Sequence, residues 1–120
     1  MVTVYKTPTC GCCTLWEDHL RAHGFQVDSR QMNDLSPIKE QYGIPHVLGS
    51  CHTGVVEGYA VEGHVPADVI RRLLAERPAV QGIAVPGMPM GSPGMEGPFS
   101  QPYEVYTFRD GAPVEVFAVR

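Results

Sequence analysis

Apolar and polar positions alternate from the start of the chain. "VTVYK" (Val2–Lys6) carries β-branched and aromatic residues in a period of two and runs into Thr7-Pro8, which predicts a strand. From Cys12 the period lengthens. Cys12, Leu15, Trp16, His19, Leu20 and His23 share one arc of a helical wheel, and Thr14, Glu17, Asp18 and Arg21 share the other. This predicts an amphipathic helix with the first arc inward, ending at Gly24. "FQVDSR" predicts a second strand, and Ser36-Pro37 opens a short helix to about Tyr42, closed by Gly43. "CHTGVVEGYAVEGHV" (Cys51–Val65) predicts two antiparallel strands broken at Gly58. "PADVIRRLLAER" (Pro66–Arg77) predicts a helix with Val69, Ile70, Leu73 and Leu74 inward, stopped by Pro78.

The pattern then fails. Residues 82–98, "GIAVPGMPMGSPGMEGP", hold five Gly, four Pro and three Met. No regular structure is expected, and so long a loop in a compact domain is usually functional or disordered. "YEVYTFRDGAPVEVFAV" restores alternation, with Asp110-Gly111 between two runs as a type I′ hairpin signal.

The order is β-α-β-α-β-β-α, a loop, and a hairpin. Cys10 and Cys13 form a C-x-x-C between the first strand and the first helix. Together these predict an α/β, thioredoxin-like fold with an added C-terminal β-hairpin. It would be one domain over residues 1–120, with a core at 1–78, a loop at 79–98 and a hairpin at 99–120. Such a topology delivers Cys10 to one sheet edge and brings the start of the third strand, Cys51-His52, to the same edge, where a cis-proline is usual. The end of the fourth strand, Glu62-Gly63-His64, returns there too. The loop has the length to follow: the third helix carries the chain about 18 Å away, and the loop reaches about 56 Å when extended.

Composition narrows the partners. The chain has 120 residues, 43% apolar and 18% charged, with a net charge of −4. These values describe a globular chain and, with no Lys/Arg cluster, argue against nucleic acid and anionic membranes. No apolar run approaches the roughly 18 residues that span a bilayer, so membrane insertion is not expected. The chain reaches a strand by Val2, which leaves a cytoplasmic protein or one whose leader has been removed. Three of the four cysteines crowd into Cys10–Cys13, which does not suit a loop-closing disulfide framework.

Cys10, Cys12, Cys13, Cys51, His52, His64, Met88, Met90 and Met95 make a soft donor set. Soft sulfur selects Cu(I), with zinc a weaker candidate because thioether is a poor zinc ligand. Adjacent Cys12 and Cys13 cannot easily chelate one tetrahedral ion but could bridge two. Other readings stand beside this one. The C-x-x-C could be a glutaredoxin- or arsenate-reductase-like dithiol, Cys10 attacking and Cys13 resolving, or its thiols could be inert core residues. The protein could be a non-catalytic copper chaperone. Neighbours in a strand point to opposite faces, so Cys51 and His52 share a site only if the backbone is irregular. His64 could cap the following helix, and the methionines could be packing filler. His19 and His23 read as half-buried histidines and not as a metal pair, and Glu57 and Glu62 read as solvated.

"CGCC", "SCHT", "GYAVEGHVP" and "PGMPMGSPGM", in this order, resemble the CopG-like family of small bacterial copper-resistance proteins. The resemblance spans Val2 to about Glu96. It implies a thioredoxin-like fold, a cysteine-bridged copper centre, and a role in interconverting Cu(I) and Cu(II). The implied metal ligands are Cys10, Cys12, Cys13, Cys51, His52, His64, Met88 and Met95; Met90 lies outside the family pattern. The resemblance also implies the periplasm as the compartment, and copper ions with a copper or electron-transfer protein as partners.

Overall fold

The computed structural model describes residues 2–8, 11–45, 48, 52–86, 92–93 and 102–120, apart from the side chain of Cys12. Strands β1 (Val2–Lys6), β2 (Val27–Gln31), β3 (His52–Val56), β4 (Tyr59–Glu62), β5 (Gly82–Ala84), β6 (Glu104–Arg109) and β7 (Ala112–Val119) alternate with helices α1 (Gly11–Ala22), α2 (Ser36–Gln41) and α3 (Ala67–Glu76). The strands form one sheet in the order β2-β1-β3-β4-β5-β6-β7. The α/β class expected from the sequence is the class observed.

The local signals act as their chemistry requires. α1 ends in a Schellman turn: Phe25 N–H donates to the Leu20 carbonyl, Gly24 N–H to that of Arg21, and Gly24 adopts φ +90°. Glu57-Gly58 and Asp110-Gly111 have positive φ at both positions, which matches the right-handed twist of the hairpins they join. β1 runs parallel to β2 and antiparallel to β3, with Lys6 opposite His52. β3 pairs with β4, with Thr53 opposite Glu62. This register sorts side chains onto two faces. Val2, Val4, Val61 and Ile83 pack with Trp16 and Leu20 of α1 and with Val69, Ile70 and Leu73 of α3. Ala60, Ala84 and Phe108 pack on the other face with Leu48, Tyr42 and Ile44.

Two expectations are corrected. Residues 82–98 do not wholly lack regular structure, because Gly82–Ala84 form β5. β5 runs parallel to β4 and antiparallel to β6, so the C-terminal hairpin extends the main sheet. Three residues with one glycine are too short to show alternation, and only their neighbours reveal the strand. The inward arc of α1 is also rotated. Cys13, Trp16, Glu17 and Leu20 are buried, while Leu15 is 55% exposed. Glu17 turns inward because Lys6 is inside to meet it.

β5 can sit beside β4 only because residue 82 is glycine. A Cβ there would lie 2.0 Å from the Ala60 carbonyl oxygen and 2.8 Å from the Phe108 ring, whereas one at Gly11 meets nothing within 4 Å. Gly82→Ala is therefore expected to lower stability by at least about 1–3 kcal/mol, read as a lower urea midpoint. Gly11→Ala should leave that midpoint in place or raise it, and equal midpoints for all three proteins would refute this account of β5.

Candidate functional site

The site forms where β1 and β4 end and β3 begins, against the start of α1. His52 opens β3 and is fully buried. The sheet register places it opposite Lys6, on the face covered by α1. Its ring stacks on Trp16, with centroids 4.4 Å apart and planes at 26°. The His64 ring, also fully buried, lies 5.1 Å from the His52 ring at 49°.

Hydrogen bonds set the proton on each ring. His52 Nε2–H donates to the Gly63 carbonyl at 2.8 Å, since a carbonyl can only accept. In the neutral ring Nδ1 then carries a lone pair, and Nδ1 lies 3.1 Å from Cys13 Sγ. His64 has the opposite tautomer: Nδ1–H donates to the Pro93 carbonyl at 2.5 Å. A ring nitrogen tied to a carbonyl, with the other left basic, is the arrangement that orients metal-binding histidines. The bond to Pro93 also places part of the Gly/Pro/Met segment against His64, with Ser92 and Pro93 both buried.

Cys13 is buried and disulfide-bonded, with its partner outside the described side chains. Cys10, Cys51, Met88, Met90 and Met95, and the side chain of Cys12, lie outside what the structure describes. Among the described residues no cluster of three or more His, Cys, Asp or Glu side chains could hold a metal ion. What the structure does bring together from the expected set is Cys13, His52 and His64.

Charge is arranged around these rings on both sides of the sheet. On the α1 face, Lys6 Nζ donates to Glu17 Oε1 at 2.6 Å and to Thr14 Oγ1 at 3.1 Å. Glu17 Oε2 is buried without a hydrogen-bond partner. On the opposite face, Lys39 of α2 pairs with Glu62, which also accepts from Thr53 Oγ1 at 2.6 Å. Glu62 is fully buried, which corrects the expectation that it is solvated; Glu57 is exposed, as expected, and binds Arg77 at 2.6 Å. Glu62 turns inward because it lies at a core-facing register position opposite Thr53, with Lys39 in reach. Pattern reading also missed Lys6. Alternation holds the signal, since Val2, Val4 and Lys6 share one strand face.

His64 does not cap α3. His19 does, its Nε2 accepting the backbone N–H of Ala67 at 3.1 Å. His23 Nδ1–H donates to the His19 carbonyl at 2.8 Å, so one nitrogen of each ring serves the backbone.

Two solved structures, described as "Copper resistance protein copG", Form 1 and Form 2, are 45% and 46% identical to this chain, each with a TM-score of 0.91. The alignments cover 99% of this chain and 95% and 96% of theirs. A family model described as "Protein of unknown function, DUF411" matches residues 48–95. None of the curated proteins matches.

Burial, then an electrostatic contribution from the neighbouring His64, holds the His52 pKa down at about 3, against 6.5 for a free imidazole. An unfolded His52 therefore takes a proton that the folded ring refuses between those values. Stability present above about pH 6.5 is lost as pH falls toward 3, on the order of 1.4 kcal/mol per unit. Urea unfolding of metal-free protein between about pH 7 and about pH 4.5 should show this slope, and His52→Gln should flatten it. Parallel profiles for the two proteins would count against a buried neutral His52.

Proposed function

Because this chain belongs to the CopG family of copper-resistance proteins, we propose that it acts in copper resistance by binding copper at a Cys/His/Met site built around Cys13 and His52. The observation that carries this reading is the unprotonated Nδ1 of a buried, neutral His52 in contact with Cys13 Sγ at 3.1 Å. Such a nitrogen needs no deprotonation before it binds a metal, and its second nitrogen is already fixed by Gly63. His64 is the next donor, held by Pro93 two residues before Met95 in the sequence. Cys10, Cys12, Cys51, Met88 and Met95 complete the soft set by their chemistry, which favours Cu(I) over zinc.

The Cys13 disulfide adds a redox condition. A sulfur bound to sulfur is not a thiolate, so metal binding through Cys13 needs prior reduction of the disulfide. That reduction takes two electrons and two protons and yields two thiols, which lose their protons on binding Cu(I). In the reverse sense two thiolates each give one electron to a Cu(II) ion, forming one S–S bond and two Cu(I). A dithiol donor would regenerate the thiols by exchange, its own pair becoming the disulfide. This couple is the proposed basis of a copper oxidoreductase activity.

The same disulfide favours a second reading, a thiol–disulfide oxidoreductase using Cys13 and Cys10 without copper. It also supports a place in the bacterial periplasm, where disulfides persist.

An anaerobic Cu(I) titration against a chromophoric chelator tests the proposal. Reduced protein should take up Cu(I), and disulfide-form protein should bind it far more weakly. Cys13→Ser and His52→Ala should each weaken binding by about tenfold to a hundredfold. Uptake near zero by reduced protein, or affinity untouched by both variants, would overturn it. Rapid reduction of insulin by metal-free protein, with no copper uptake, would establish the second reading instead.

A further inference from the structure

Trp16 and His19 lie one helical turn apart on α1, and both grip the segment that leaves His64. The Trp16 indole N–H donates to the Val65 carbonyl at 2.8 Å, and the Ala67 N–H donates to His19 Nε2 at 3.1 Å. Ala67 is the first residue of α3, and Pro66 before it offers no side-chain acceptor. His19, from another helix, thus fills the role that Ser or Asp usually plays at a helix start.

That role fixes the state of the imidazole. A nitrogen that accepts an N–H holds no proton. Protonation would turn the acceptor into a donor and put a cation at the positive end of the α3 dipole. The described charged and titratable groups on the elements packed against it are engaged as follows. On α1, the His23 ring lies 4.3 Å away and is bonded to the His19 carbonyl. On α3, Asp68 is exposed and engaged by Arg120 from beyond β7, while Arg71 donates to the His23 carbonyl. His64 precedes α3 and is bonded to Pro93.

We propose that His19 is a pH-sensitive positioning residue: when neutral it pins the start of α3 to α1 and so holds His64 beside His52, and its protonation releases that hold and weakens the site. The consequence for copper rests on the function proposed above, whereas the clamp itself does not.

The test separates the two. In metal-free protein, 15N NMR of histidine-labelled chain at about pH 7.5 should find His19 with Nε2 bare. A proton on Nε2 would overturn the proposal. Trp16 is the chain's one tryptophan, so its fluorescence follows the clamp. On acidification from about pH 7.5 to about pH 5, wild type should show a transition that coincides with the His19 titration. His19→Gln, whose carbonyl can accept the Ala67 N–H at any pH, should lack that transition, and His19→Ala should show the low-pH signal throughout. Superimposable wild-type and His19→Gln profiles would overturn the clamp. In Cu(I) competition, the ratio of wild-type to His19→Gln affinity should fall by about tenfold over the same range; a constant ratio would overturn the link to the site. Failure of both proteins to take up Cu(I) would sink the proposed function and the link that rests on it, with the fluorescence profiles still deciding the clamp.

Discussion

Trp16 is the contact on which the site depends. Its ring is fully buried, stacks on His52 and fills the space over Gly54, where a Cβ would come within 3.1 Å of it. Its indole N–H is spent on the Val65 carbonyl. One side chain thus joins α1, the opening of β3 and the chain just after His64. A large apolar ring with one polar handle can pack in a core and fix a register at the same time. Cys13 lies less than a turn before it on the same helix, so the geometry that places the tryptophan also sets the sulfur against the imidazole.

Around this contact the protein assembles charge to keep a base neutral. Lys6 and Lys39 each sit with a buried carboxylate, on opposite faces of the sheet, and both add to the cost of a proton on His52. Burial is the larger cause. The outcome is an imidazole that stays neutral well into acid. The arrangement has its own cost, because an unsatisfied buried oxygen such as Glu17 Oε2 is unfavourable by about 1–3 kcal/mol. Breaking the Lys6–Glu17 pair by removing one partner would cost more still, since it would strand a buried charge.

How much of this was legible depended on the range of the interaction. The strands at Val2–Lys6, His52–Val56 and Tyr59–Glu62, the helices, and both tight turns follow from period and turn chemistry, which act over a few residues. His52 and His64 could be named as candidates because topology returns both to one edge, and the structure brings them together with Cys13. Glu17 and Glu62 were misread for a common reason. A helical wheel or a polarity rule assigns a charged residue to solvent, and only the partner lysine, 11 or 23 residues away, reverses that assignment. β5 escaped because its strand character is lent by β4 and β6.

The sequence by itself determined which elements form, because local periodicity, glycine at the turns and proline at the helix starts are properties of short segments. It also set the soft chemistry of the donors, since sulfur and imidazole are fixed by residue type. Only the tertiary structure decided which nitrogen of His52 and of His64 carries the proton, because that choice is made by the carbonyls of Gly63 and Pro93. It likewise decided that His19 and not His64 caps α3, and that the hairpin continues the sheet. These are pairings between distant groups, and chain periodicity carries no record of a partner that folding alone supplies.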